Sequence, residues 1–332
     1  MKDIKFITEV NVKVSEQKLD HRSRIMTMGS CFAEVLGSQL GQYKFNVLNN
    51  PFGTVFNPLT ICKILDYALQ DKSPDNDLYL QNADKIWLHH DFHSSQWAAS
   101  KESLAAGLIE KLKGVKAYLK EANVLVITLG TAYAYRYKRA NQIIGNCHKE
   151  PADRFVKELL HPEQISIALE PLIQKLLIHR RDLRIILTVS PVRHTKDTLT
   201  LNQVSKSTLR LTCHRLSEKY RHISYFPAYE IMLDELRDYR FYNEDLIHPN
   251  KIAEDYIFNK FAQSNIAAGS LEFMKQWDGI MHSMLHRPQH GETPGYHKML
   301  QSVLDKLHSI SGGIDVSRET TQIEERLAQF PI

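Results

Sequence analysis

The chain has 332 residues, 43% of them hydrophobic, which is enough apolar side chain for one large α/β domain or two small ones and too much for extensive disorder. Its formal charge of +4 comes from 42 Lys and Arg spread along the chain against 38 Asp and Glu, so neither nucleic acid nor an anionic membrane is expected as an obligate partner. The four cysteines, Cys31, Cys62, Cys147 and Cys213, form no CxxC pair, which argues against a zinc ribbon and a secreted disulfide scaffold.

Met1 to Lys5 lead into no apolar core of signal-peptide length, and no run approaches the roughly 20 apolar residues needed to span a bilayer, so a soluble, cytoplasmic protein is expected. Arg24 to Met28 reads as a short buried strand. Gly29-Ser30-Cys31 follows as a tight turn with two nucleophilic side chains, and Phe32 to Leu40 continues as a helix. Phe45 to Leu48 is the second strand, Asn49-Asn50-Pro51-Phe52-Gly53 a turn, and Pro58 the first residue of a helix through Ile61, Ile64, Leu65 and Leu69. Cys62 and Cys213 are read as small core residues on helices.

The stretch from Leu78 to Ser100 carries no clear period and holds His89-His90-Asp91-Phe92-His93-Ser94. Three histidines and an aspartate so close together suit either a metal site or a polar loop at a pocket rim with one imidazole, His93, reaching substrate. In a strand His89 and His90 point to opposite faces, which speaks against a shared ion.

Val124 to Ile127 is a central strand ending at Gly130-Thr131. Pro162 opens a helix whose Ile165, Leu169, Leu172 and Leu176 share a face. Ile185 to Val189 is a strand stopped by Ser190-Pro191, and a polar helical stretch runs to about Lys219. His222 to Phe226 is the last strand, and Pro249 begins a helix carrying Ile252, Ile257 and Phe261. Residues 1–265 form one expected domain. Residues 266–332 form an appended helical region, with a break at His290 to Gly295 and then Leu300, Val303, Leu304 and Leu307 at helical spacing.

Between that last strand and helix lies the strongest chemical signal, Asp245-Leu246-Ile247-His248. A carboxylate three residues before a histidine fixes its tautomer and makes the imidazole a general base. In an open parallel sheet the ligand crevice lies beyond the C-terminal strand ends, where Gly29-Ser30-Cys31, Gly53, Gly130-Thr131, Ser190 and Asp245 to His248 all fall.

This ordered set resembles the SGNH, or GDSL-type, hydrolase superfamily, and Gly29-Ser30-Cys31-Phe32-Ala33 spells the motif of its GSCFA branch. Asn50-Pro51-Phe52-Gly53-Thr54, Asp91-Phe92-His93-Ser94, Thr128 to Ala132, Asn146-Cys147-His148-Lys149 and Phe226 to Asn250 extend the likeness over about residues 20–265. The resemblance implies an α/β fold, a flavodoxin-like three-layer α/β/α sandwich with a central parallel sheet, plus the C-terminal helices. It also implies an esterase or acyltransferase working through a covalent acyl intermediate without a cofactor. His248 is the implied base and Asp245 its partner, and the acyl group sits on a small-molecule or carbohydrate ester, such as an acylated cell-envelope precursor.

Two positions depart from the superfamily pattern. Aligning the glycine of G-D-S puts Cys31 at the nucleophile, where a helix N-terminus favours a thiolate, whereas sliding the turn by one residue keeps Ser30. The Asn that binds the oxyanion is replaced by Ala132, so either Thr131 or Asn146 is expected to donate, beside the N–H groups of Gly53 and of the nucleophile. His93 and His148 are placed on the substrate side. A catalytically silent module that binds a glycan or protein, and a metal-assisted hydrolase around His89, Asp91 and His93, stand as alternatives.

Overall fold

Five parallel strands carry the molecule: β1 (Arg24–Gly29), β2 (Asn46–Asn49), β5 (Val124–Leu129), β9 (Arg184–Val189) and β10 (Ile223–Phe226), in the spatial order β2-β1-β5-β9-β10. A computed structural model describes residues 7–286, 288, 293–310 and 313–329. Strand order 2-1-3-4-5 within one parallel sheet is the flavodoxin-like arrangement. The strand ends are level, since Gly29 pairs with Thr128 and Thr128 with Thr188.

Alternate strand residues face opposite layers, as a period of two requires. Met26, Met28, Leu125, Ile127, Ile185 and Leu187 pack against helices α2 (Pro58–Leu69), α3 (Lys101–Glu121), α4 (Pro162–His179) and α5 (Thr198–Lys219). Ile25, Val124, Val126, Ile186 and Phe226 pack on the other side against α1 (Cys31–Gln42) and α7 (Lys251–Asn265). Because β5 is covered on both faces, its whole run VLVITL is buried and reads as a continuous apolar segment. Each buried methylene contributes about 0.8 kcal/mol, which is why this sheet, and not its exposed loops, fixes the geometry above it.

The five strands, the turns after them and helices α1, α2, α4, α5 and α7 correspond to the sequence reading, with differences of detail, whereas the 21-residue helix α3 was not foreseen. On α7 the buried stripe is Ala253, Ile257 and Phe261 at four-residue spacing, while Ile252 is exposed, because Asn250 and not Pro249 caps the helix and sets its phase. Two small antiparallel sheets were not foreseen. They are β3 (Tyr79–Gln81) with β4 (Trp87–His89), and β6 (Tyr133–Tyr137) flanked by β7 (Gln142–Ile144) and β8 (Phe155–Leu159). The second one seats the segment Asn146 to Lys149 against His90, through N–H bonds from Gly145 and Asn146 to the His90 carbonyl.

After β10, a short helix α6 (Ala228–Glu230) and an adjoining π-turn lead to the loop before α7. Helices α8 (Ala268–Leu285), α9 (Pro294–Ile310) and α10 (Ser317–Gln329) then build a separate small core around Trp277, Leu300, Val303, Leu307 and Ile323. His290, Gly291 and Glu292 of the expected break lie outside the described residues. Among the described residues no helix is long and apolar enough to cross a membrane.

Candidate active site

The turn after β1 sits where the chain leaves the sheet centre, with β2 to one side and β5 to the other, which is the switch point of this topology. Gly29 is held at φ +134, and a Cβ there would stand 2.1 Å from the Thr128 carbonyl oxygen, so only glycine fits. Ser30 is the N-cap of α1 and is 1% exposed, yet its Oγ caps nothing and has no hydrogen-bond partner among the described residues. Cys31, the first residue of α1, is partly exposed.

The thiol of Cys31 is pushed up from its ordinary pKa. Desolvation by the surrounding chain is the main cause, and the Lys206 charge and the N–H groups of Cys31 and Phe32 beside the sulfur pull the other way without overcoming it. The expectation of a thiol activated by the helix terminus is therefore corrected: the dipole acts here, but burial outweighs it.

Asp245 and His248 form the pair that their spacing foretold. His248 Nδ1–H donates to Asp245 Oδ2 at 2.7 Å, while the N–H groups of Ile247 and His248 both donate to Asp245 Oδ1. These bonds hold the carboxyl down at about 2. The His248 ring keeps Nε2 without a partner among the described residues and stands 46% exposed. It makes no hydrogen bond to Ser30 or Cys31. The loop is fastened to the segment after β9, since Arg193 N–H donates to the Ile247 carbonyl and its guanidinium lies 3.9 Å over the Tyr242 ring.

The other predicted residues take different positions. Gly53, at φ +74, packs so closely that a Cβ would lie 2.7 Å from that of His93, but its N–H donates to the Asn50 carbonyl at 2.8 Å and is not free for an oxyanion. Thr131 Oγ1 is tied to Ser205 Oγ at 3.0 Å and accepts from Tyr133 N–H, so that hydroxyl too is committed. Asn146 uses Oδ1 on the His148 N–H and its carbonyl on His90 Nδ1–H. His148 Nε2–H donates to the His89 carbonyl, and burial lowers the His148 pKa to about 4. His93 Nδ1 accepts from Ser95, leaving the imidazole beside Gly53.

His89, His90 and Asp91 are buried, not part of an exposed loop. Asp91 is paired with Lys63 and Tyr67, and both ring nitrogens of His89 are used, one on the Asp75 carbonyl and one by the Asp91 N–H. Among the described residues no group of three His, Cys, Asp or Glu is disposed to hold a metal ion.

Two residues the sequence reading passed over stand under the same strand ends. Lys206 of α5 is 0% exposed, and its Nζ donates at 2.8 Å to the carbonyls of Gly130 and Ser190, the residues that follow β5 and β9. Burial, only partly opposed by Cys31, brings its pKa down to about 7. His194 lies edge-on to Phe56 at 5.4 Å and within the field of both Lys206 and His248; burial is the main cause of its pKa of about 3. A signal for Lys206 existed: Asn202, Lys206, Leu209, Cys213 and Leu216 follow one another at spacings of four, three, four and three, the buried stripe of a helix.

The motifs fall within the match to a family model. The model of the GSCFA family covers residues 24–261. This chain belongs to the GSCFA family. A second model, the C-terminal domain of GSCFA domain proteins, matches residues 277–329, the stretch from within α8 to the end of α10. A search of the curated proteins returned no match. Among solved structures, this GSCFA chain is similar to an α/β hydrolase from the metagenome of Lake Arreo, Spain, at 14% identity and TM-score 0.36, over 74% of this chain and 96% of the other. It is also similar to a family 3 carbohydrate esterase of Clostridium thermocellum, at 10% identity and TM-score 0.33, over 73% and 94%. An acetyl xylan esterase of Butyrivibrio proteoclasticus aligns at 10% identity and TM-score 0.31, over 81% and 66%.

Proposed function

We propose that the chain moves an acyl group from an ester to water or to another hydroxyl through a thioester on Cys31, with His248 as general base and Asp245 orienting it. One observation supports this most. A partly exposed thiol with the N–H groups of Cys31 and Phe32 beside it lies at the same sheet edge as an imidazole whose Nδ1 is locked by Asp245 and whose Nε2 is free. Ser30 suits attack less well, being 1% exposed.

In the proposed cycle His248 Nε2 takes the thiol proton as Cys31 Sγ bonds to the ester carbon. The oxyanion forms against the helix N-terminus, and the C–O bond to the leaving alcohol breaks as His248 returns the proton to that oxygen. Water or an acceptor hydroxyl then attacks the thioester and gives its proton to His248; the C–S bond breaks, the acyl group leaves as the acid or the new ester, and His248 returns the proton to Cys31 Sγ. A thiol that rests protonated fits a base that removes the proton only when substrate arrives. A small-molecule ester or an acylated carbohydrate, such as a cell-envelope precursor, is the proposed acyl donor, by analogy with the superfamily resemblance.

The raised thiol also favours a second reading, a silent module that binds a glycan or protein in the same crevice. Incubation with p-nitrophenyl esters from acetate to octanoate, followed by intact-mass measurement and peptide mapping, separates them. Acyl transfer gives an adduct on Cys31 that is lost in Cys31→Ala and slowed in His248→Ala. No adduct and no turnover with any ester leaves the binding module.

A further inference from the structure

The superfamily's oxyanion asparagine is absent from its usual block. Of the two residues expected to replace it, Thr131 has its hydroxyl on Ser205, and Asn146 is held in the segment against His90, its Oδ1 on the His148 N–H; the Gly53 N–H, expected beside them, donates to Asn50. Asn50, the first residue after β2, is 6% exposed and lies against the nucleophile turn, where its Oδ1 accepts from Gly29 N–H at 3.1 Å. Its Nδ2 is a buried donor with no partner among the described residues. The amide orientation is fixed, because turning it over would set the NH₂ group against the Gly29 N–H, donor to donor.

A buried, unpaired amide donor costs about 1–3 kcal/mol if nothing ever meets it. The backbone around it is equally committed. Asn50 sits at φ +39, a region that Asn tolerates better than most residues, and its own N–H is held by Thr27 Oγ1 and the Thr27 carbonyl. Neighbouring Pro51 restricts the loop further. The side chain is thus preorganised beside the one turn where negative charge would develop, which is what an oxyanion donor requires.

Resting on the acyl-transfer reading above, we infer that Asn50 supplies the third oxyanion donor of the site through Nδ2, joining the N–H groups of Cys31 and Phe32 and standing in for the asparagine that Ala132 replaces. The partner it would meet is the carbonyl oxygen of an ester as it becomes tetrahedral on Cys31.

Asn50→Asp tests this, because the carboxylate keeps an acceptor for Gly29 N–H and tolerates the same φ, but presents no donor. With p-nitrophenyl acetate through octanoate as probes, Asn50→Asp should lose about 10²–10³-fold in kcat with KM changed only a few-fold, the loss expected when one oxyanion donor is removed. Its thermal midpoint should stay close to that of the parent. Asn50→Gly, which accepts the positive φ, serves if the aspartate variant does not fold and should show the same kcat loss. A parent that forms the Cys31 adduct while both variants turn over within about threefold of it overturns the Asn50 assignment and leaves the acyl-transfer reading standing. A parent that forms no adduct with any ester overturns both.

Discussion

The imidazole of His248 donates a hydrogen bond from Nδ1–H to Asp245, and the same carboxylate is held by two N–H groups of its own loop, so the ring is fixed with Nε2 outward. Replacing Asp245 by Asn should therefore harm turnover without harming the fold, since the loop is exposed and still fastened through Arg193. A loss on the order of 10³–10⁴-fold in kcat/KM with p-nitrophenyl esters is expected, with unchanged thermal midpoint. Asp245 stays ionised down to about 2, so an acid limb of the pH–rate profile above about pH 4 should be unaltered in origin and should not report this carboxyl. A variant with parent-level activity would remove the pair from the mechanism.

Cys31 should behave in the free protein as a protonated thiol, because desolvation outweighs Lys206 and the helix N–H groups. Its alkylation by iodoacetamide should be slow near neutrality and climb only on the alkaline side of the usual thiol range, about 8.5. Mass mapping at several pH values reads this directly. Fast labelling at about pH 6.5 would mean a thiolate at rest and a different charge balance around the turn.

Lys206 makes a signed prediction for stability. Its pKa falls from 10.5 unfolded to about 7 folded, so between those values the unfolded chain binds more protons than the native one. Stability from this group is fully present above 10.5 and is lost as pH falls through about 7. In urea titrations from about pH 7 to about pH 10, the parent should gain on Lys206→Met as pH rises. A constant difference would show that the ammonium is retained throughout.

Burial holds His89 near 3, His148 near 4 and His194 near 3. Each is a depressed histidine, so its contribution is present above the ordinary value of 6.5 and is lost as pH falls toward the folded value. Acid unfolding followed by circular dichroism should accordingly begin below about pH 6.5, and His148→Gln should shift its midpoint to lower pH. An unchanged midpoint in that variant would exclude His148 as a contributor.

What the sequence disclosed was whatever depends on local pattern. The run Val124 to Leu129 announces a covered central strand, and Asp245 with His248 pairs through a loop only four residues long. The fates of Gly53 and Thr131 were hidden because they are decided by hydrogen bonds to Asn50 and Ser205, and the Ser205 bond crosses 74 residues of chain. Asn50 looked like a turn former because its second role depends on which way one amide faces. Lys206 was legible only in helix phase: a lysine among Asn202, Leu209 and Cys213 belongs to the inner face, where polar composition alone suggested solvent. The three-stranded sheet of β6 to β8 was missed although Tyr133, Tyr135 and Tyr137 alternate along β6, a period-two signal.

The far end of α1 is gripped as firmly as its near end. Trp277 Nε1–H donates to the carbonyl of Gln42, the last residue of α1, Tyr43 hydroxyl bonds Asp278, and Lys44 pairs with Glu319 from α10. A helix of 12 residues spans about 18 Å, so the C-terminal helices hold the butt of a rod whose tip carries Ser30 and Cys31. The rod cannot slide or rock without breaking that grip, which makes the C-terminal region a vice on the end of α1 opposite the nucleophile turn.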